Sequence, residues 1–269
     1  MLRFDNWGMN VQSFFMSEDL ESLMHHWPFE PGSIQARMIH GDDGCPKIQL
    51  RLDLGILQME IEGRPDGKSP FGCRSFLDHY QKLAVKFQKN GQADIFKLNM
   101  EDCIKLQQEG IQYYHRYLSL FQINDFPGVI RDTQRNLDLF AFVAEHADRD
   151  ELIWSFQQFR PYVLMMNTRG KASILLGEGR FGDAMREIER GRDAIQEFFQ
   201  QSSFPELATK SSELAFLEEW LEEVSSKRPL SKLEIMQREM EIAIASELYE
   251  RAAELRDAIK LLKTPDTAV

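Results

Sequence analysis

The chain has 269 residues, 43% of them hydrophobic, which is enough for one or two domains with a sizeable core and does not suit a disordered polypeptide. Its 43 acidic residues against 32 basic ones give a net charge of −11, which repels a phosphate backbone and argues against direct nucleic-acid binding. There is no apolar run of the roughly 18 residues that span a bilayer, and Met1-Leu2-Arg3-Phe4-Asp5-Asn6-Trp7 has no basic region leading into an apolar stretch, so a cytoplasmic protein without membrane contact is expected.

The first segment reads as a short helix over about 18–26, with Ser17 as its cap, Glu18, Asp19 and Glu21 at the positive end of the dipole, and Pro28 as its stop. Within it the adjacent His25-His26 pair would point to different sides, which is poor geometry for a shared metal. Cys45, Cys73 and Cys103 show no zinc or redox spacing and are expected to be reduced and structural. Neither a metal nor a cofactor is therefore expected.

From Ser33 the period becomes two. Ile34, Ala36 and Met38 alternate with polar residues, and Gly41-Asp42-Asp43-Gly44 supplies a turn before a second run. In that run Ile48, Leu50, Leu52 and Leu54 hold even positions, whereas Leu57, Met59 and Ile61 hold odd ones, so the apolar face would flip in mid-strand. One inserted residue repairs this, and a β-bulge is expected at Gly55-Ile56. Gln49, Arg51, Asp53, Gln58, Glu60 and Glu62 would then share a solvated face, with a ligand surface as the alternative, before the turn Gly63-Arg64-Pro65-Asp66-Gly67. Two strands are barely stable alone, so helices, a further strand or a second copy must cover them.

Beyond about residue 74 the pattern is helical, with helices expected near 74–88, 100–121, 128–146, 151–177, 181–199 and 206–226. Breaks are expected at Gly91, Pro127, Gly177-Glu178-Gly179 and Pro205, and Pro161 predicts a kink or a boundary between two shorter helices. Inside this region Asp125-Phe126-Pro127-Gly128-Val129-Ile130-Arg131-Asp132 matches Arg180-Phe181-Gly182-Asp183-Ala184-Met185-Arg186-Glu187, continuing through Arg135 with Arg190 and Asp138 with Asp193. Each copy opens a helix after a tight turn. The second copy resembles the tetratricopeptide repeat, with Gly179 and Phe181 at the turn and Ala172, Ala184 and Gly191 at small-residue positions. Lys171 stands at an expected apolar position and the copies lie farther apart than the roughly 34 residues of a regular array, so a plain helical bundle is the alternative.

Pro229 separates an acidic helix ending in Glu222-Glu223-Val224 from the last segment, for which Ser231 is the expected cap. Met236, Met240 and Ala243, then Tyr249, Ala252, Leu255, Ile259 and Leu262, give two helices one apolar face each. Between them stands Ser246-Glu247-Leu248, without Gly, Pro or Asn, so a turn and a continuous helix both fit.

The string Glu239-Met240, Ala243, then Tyr249-Glu250-Arg251-Ala252-Ala253-Glu254-Leu255-Arg256-Asp257-Ala258-Ile259 resembles the UVR motif of the bacterial UvrB and UvrC repair proteins. Similar motifs occur in the Clp ATPase ClpC and its partner McsA. The resemblance implies a helical contact module for a protein partner, such as another UVR-bearing UvrB/UvrC or Clp component, or a second copy of this chain. Met236, Met240, Tyr249, Ala252, Leu255, Arg256 and Ile259 are the candidate partner-binding residues. The CxxC pairs of McsA, a phosphate loop and nuclease carboxylate clusters are absent from the sequence, so no catalytic, cofactor or metal role carries over. The competing enzymatic reading would use Arg51, Asp53, Glu60, Arg64, Asp66 and His79.

Together these readings give a mainly α protein with a small N-terminal β element, an α+β fold. Its expected parts are an α+β region over 1–73 with a bulged hairpin, tetratricopeptide-like helical hairpins over 74–226, and a UVR helical hairpin over 230–264.

Overall fold

The computed structural model describes residues 19–202, 204–230 and 232–263; the expected caps Ser17 and Ser231, and the side chain of Leu262, lie outside the described residues. The chain is mainly helical, with an N-terminal three-stranded antiparallel sheet, and falls into two compact units that meet in sequence at Ile174 and Leu175.

In the first unit a five-residue helix, α1 (Glu21–His25), precedes strands β1 (Gln35–His40), β2 (Pro46–Leu52) and β3 (Gly55–Glu60), ordered β1-β2-β3. The expected bulge does not form. Instead Asp53-Leu54 is a two-residue turn, and the register Leu52↔Gly55, Leu50↔Leu57, Ile48↔Met59 pairs each even position with an odd one. A hairpin does this without inserting a residue, so the parity flip marks a change of strand and not a fault within one. Ile48, Leu50 and Met59 thereby share one buried face, packed on Leu120 and Val129.

The opposite face is not simply solvated. Gln49 and Arg51 are buried, and Gln49 bridges Arg37 and Gln58 through hydrogen bonds of 2.9 Å on each side. Arg51 donates to the carbonyl of Trp27 at 2.7 Å and to those of Leu52, Asp53 and Gly55, so its guanidinium fills the hairpin turn. Trp27 covers Arg37, whose guanidinium carbon lies 4.1 Å from the ring centroid.

Helices α2 (Phe76–Lys89), α3 (Met100–Gln122), α4 (Phe126–His146), α5 (Asp150–Gln157) and most of α6 (Arg160–Gly177) complete this unit. Ser75 caps α2 through Asp78, and Asn99 with Asp102 forms a reciprocal capping box on α3. The boundary expected at Pro161 is present, as Gln158-Phe159 separates α5 from α6. Pro127 proves to sit in the first turn of α4, where its missing N–H costs nothing, and the break falls earlier, at Asn124. Leu77, Leu98, Leu106, Leu139, Val143 and Phe156 belong to the core between these helices. Gly110 lets α3 and α4 approach, since a Cβ there would lie 3.2 Å from Leu139.

A buried ion lattice ties the sheet to this bundle. Arg116 grips Asp132 with two hydrogen bonds of 2.6 and 2.8 Å and donates a third, 2.9 Å, to the carbonyl of Glu60 at the end of β3. Arg131 adds Asp132, Glu62 and the carbonyl of Ile61. Glu109, fully buried, accepts from the amides of Phe76 and Leu77 and pairs with Arg64 and Arg135, so one carboxylate caps α2 and is shared between two guanidinium groups, of which Arg64 also has Asp66.

The second unit contains α7 (Phe181–Gln201), a 3-10 segment (Pro205–Lys210), α8 (Ser212–Lys227), α9 (Lys232–Ala245) and α10 (Tyr249–Lys263). Ala184, Ile188, Gly191, Ile195 and Phe199 of α7 are buried, as are Leu214, Leu217 and Val224 of α8.

The two sequence copies do share their turn. Asn124 and Gly179 both have positive φ, at 62° and 71°, and the amides of Asp125 and Arg180 each return 2.9 Å to the carbonyl five residues back, Leu120 and Leu175. The helices that leave these turns differ. In the first copy Arg135 is largely buried against Glu109, whereas its counterpart Arg190 is exposed and pairs with Glu187 at 2.8 Å.

Among the described residues no helix is long and apolar enough to cross a membrane.

Candidate partner-binding hairpin

Pro229 disfavours helical geometry at the residue before it, and Arg228 is extended, which ends α8. Arg228 and Glu234 pair across the break through two hydrogen bonds, one of 3.1 Å, and the carboxylate raises the guanidinium pKa. Helix α9 then runs to Ala245, and the chain reverses. Glu247 adopts φ 58°, and the amide of Leu248 reaches the Ala243 carbonyl at 2.8 Å, so Ser246-Glu247-Leu248 is a turn and not a continuous helix. The same closure occurs at Asn124 and Gly179, and here it is made without glycine or asparagine.

Helices α9 and α10 pack chiefly on each other. Ala243, Ala252, Leu255 and Ile259 form their buried seam, in which the two alanines permit close approach. Arg251 spans the hairpin, 3.9 Å from Glu239 on α9 and 3.0 Å from Glu254 on its own helix. Arg256 pairs with Asp257 at 2.9 Å and both are exposed.

Residues 231–264 match the UvrB/uvrC motif, UVR. No curated protein and no solved structure matches the chain. The UVR match covers a small C-terminal part of the sequence, and it coincides with the α9–α10 hairpin.

Within the UVR hairpin the seven expected contact residues separate into classes. Ala252, Leu255 and Ile259 are buried in the seam, Met236 and Met240 are half-buried, and Tyr249 and Arg256 are exposed. Among the described residues of the hairpin, sequence reasoning missed the exposed apolar side chains Ile235 at 44%, Ile242 at 59%, Ile244 at 50% and Leu248 at 59% exposure, beside Tyr249 at 67%. Their signal was available, because Ile235 and Ile242 stand one heptad apart and so on one side of α9.

Of the six N-terminal polar residues Arg64 and Asp66 pair with each other, and the others are held by different groups. Arg51 bonds backbone carbonyls, Glu60 pairs with Lys47 at 2.5 Å, Arg64 pairs with Asp66 at 3.3 Å and with Glu109 at 3.2 Å, and His79 stacks on Phe71 at 4.3 Å. Asp53 lies in the β2–β3 turn. Cys45, Cys73 and Cys103 are free thiols, with Cys103 buried and its pKa pushed up to about 11 by that burial.

Proposed function

We propose that this protein is a non-enzymatic interaction factor, an adaptor that recruits a protein partner through its UVR hairpin. The observation that carries the reading is the exposed apolar set Ile235, Ile242, Ile244, Leu248 and Tyr249 on a hairpin whose two helices pack chiefly on each other. Apolar side chains left exposed on so small a module, Ile235 and Ile242 on one side of α9, favour a protein contact, and an exposed tyrosine is a common anchor of such contacts.

The partner is another UVR-bearing protein, and the setting is bacterial and cytoplasmic, in nucleotide-excision repair or Clp-linked proteolysis. The helical middle serves as a tetratricopeptide-like scaffold, a reading supported by the shared turn geometry at Asn124 and Gly179. The competing occupant of the hairpin is a second copy of the same chain, because one apolar surface can pair with itself about a twofold axis.

The test is capture of purified UVR-bearing proteins by the full chain and by a chain lacking residues 230–269, with light scattering at two concentrations. The adaptor reading expects capture by the full chain alone and a mass independent of concentration. Capture by neither form overturns it, and a mass that doubles with concentration replaces it by a homo-oligomer.

A further inference from the structure

Helices α3, α4, α5 and α6 enclose a cleft in the first unit that the hairpin reading does not use. Its volume of about 440 Å³ lies in the range that holds small molecules. Much of its wall is aromatic, from Tyr114, Tyr117, Phe140, Phe156, Phe159 and Tyr162. No Asp, Glu, Lys or Arg lines it, so an ionic ligand would lose its hydration there without gaining a counter-charge. Phe159 is 51% exposed and stands at the mouth, as does Ile111.

The polar groups of this wall divide into two kinds. Asn136 and Ser155 are satisfied, donating to the carbonyls of Gly110 at 3.0 Å and Leu152 at 2.7 Å. Tyr117, by contrast, is only 1% exposed, yet its hydroxyl has no hydrogen-bond partner among the described residues. The little surface that Tyr117 keeps lies where it lines the cleft, so its hydroxyl is open to a hydrogen-bonding group of a ligand there. The amide of Gln107 and the imidazole of His115 also line the cleft without a hydrogen-bond partner among the described residues. Burial lowers the His115 pKa and keeps the ring neutral, able both to donate and to accept.

We propose that this cleft binds a neutral, largely aromatic small molecule, seated between the aromatic walls with one hydrogen-bonding group on the Tyr117 hydroxyl. Its mouth is open at Phe159, and its interior is preformed by the helix packing that buries Leu139 and Phe156.

The experiment titrates the full chain with N-phenyl-1-naphthylamine, a neutral arylamine whose emission rises when it leaves water and whose N–H can meet the phenol oxygen. The expected result is saturable uptake of one dye per chain. Tyr117→Phe, which keeps the ring, weakens it roughly three- to tenfold, as loss of one hydrogen bond does. Phe159→Glu, at an exposed position where the fold tolerates charge, abolishes it. Absent or multiple-site uptake overturns the proposal, as does affinity unchanged in Phe159→Glu. Uptake lost in Phe159→Glu but untouched by Tyr117→Phe marks an apolar docking groove for a protein segment and overturns the small-molecule assignment.

Discussion

At Glu247 a charged residue with a Cβ holds the left-handed conformation that Gly179 holds at the equivalent place in its own turn. That conformation costs a non-glycine residue about 1 kcal/mol, so Glu247→Gly is expected to stabilise the C-terminal hairpin by about that amount. Hydrogen exchange at α9 and α10 measures it, and faster exchange in the variant contradicts the assigned turn. Asp132 is the opposite case, a residue the fold cannot release. Replacing it with Ala leaves Arg116 buried without its carboxylate and is expected to cost about 3–5 kcal/mol in urea denaturation. The burial of Asp132 was not legible in the sequence, where it simply aligns with Glu187. Which copy of a repeat is covered depends on the segment that packs on it, here the end of β3 held by Arg116 and Arg131. The unpaired Tyr117 was equally hidden, because an aromatic at helical spacing reads as core whether or not its hydroxyl is satisfied.

Among the elements, the helices were largely legible, since caps, prolines and apolar spacing act within a few residues. The sheet was legible as alternation, but the meaning of its parity flip at Gly55 was not: a bulge and a two-residue hairpin both repair it, and only the pairing partner decides. The C-terminal hairpin was visible as a motif, while its exposed face was not, because the expected stripe turned out to be partly the seam between the two helices. That division sets two expectations. Ala252→Leu overpacks the seam and costs about 1–3 kcal/mol, read as loss of hairpin helicity with the first unit unchanged. Arg256→Ala, an exposed pair, leaves melting nearly unchanged but weakens partner capture. Normal capture by both variants removes this face from the contact.

For the whole molecule, the polar stretch Ser225-Ser226-Lys227-Arg228 and Pro229 mark a boundary, so a chain ending at residue 229 is expected to melt cooperatively, and a broad transition would make the hairpin part of the core. Stability also carries a pH signature. Burial lowers the pKa of His115 and His146 from 6.5, so the unfolded chain binds more protons below that value. Stability present at pH 7.5 is therefore expected to be lost progressively as the pH falls below about 6.5, with the urea midpoint lower at pH 5.5. A midpoint that holds or rises would refute the half-buried, neutral state of these rings. With a net charge of −11 the full chain is expected to show no duplex DNA binding at physiological salt. The adaptor reading itself is tested most directly by placing a photo-crosslinking amino acid at Tyr249, at Ile242 and, as a control, at exposed Glu213, in cells of the source organism. One dominant protein adduct is expected at the two hairpin positions and none at the control, whereas no adduct from the hairpin, or equal yields at all three positions, would contradict the adaptor role.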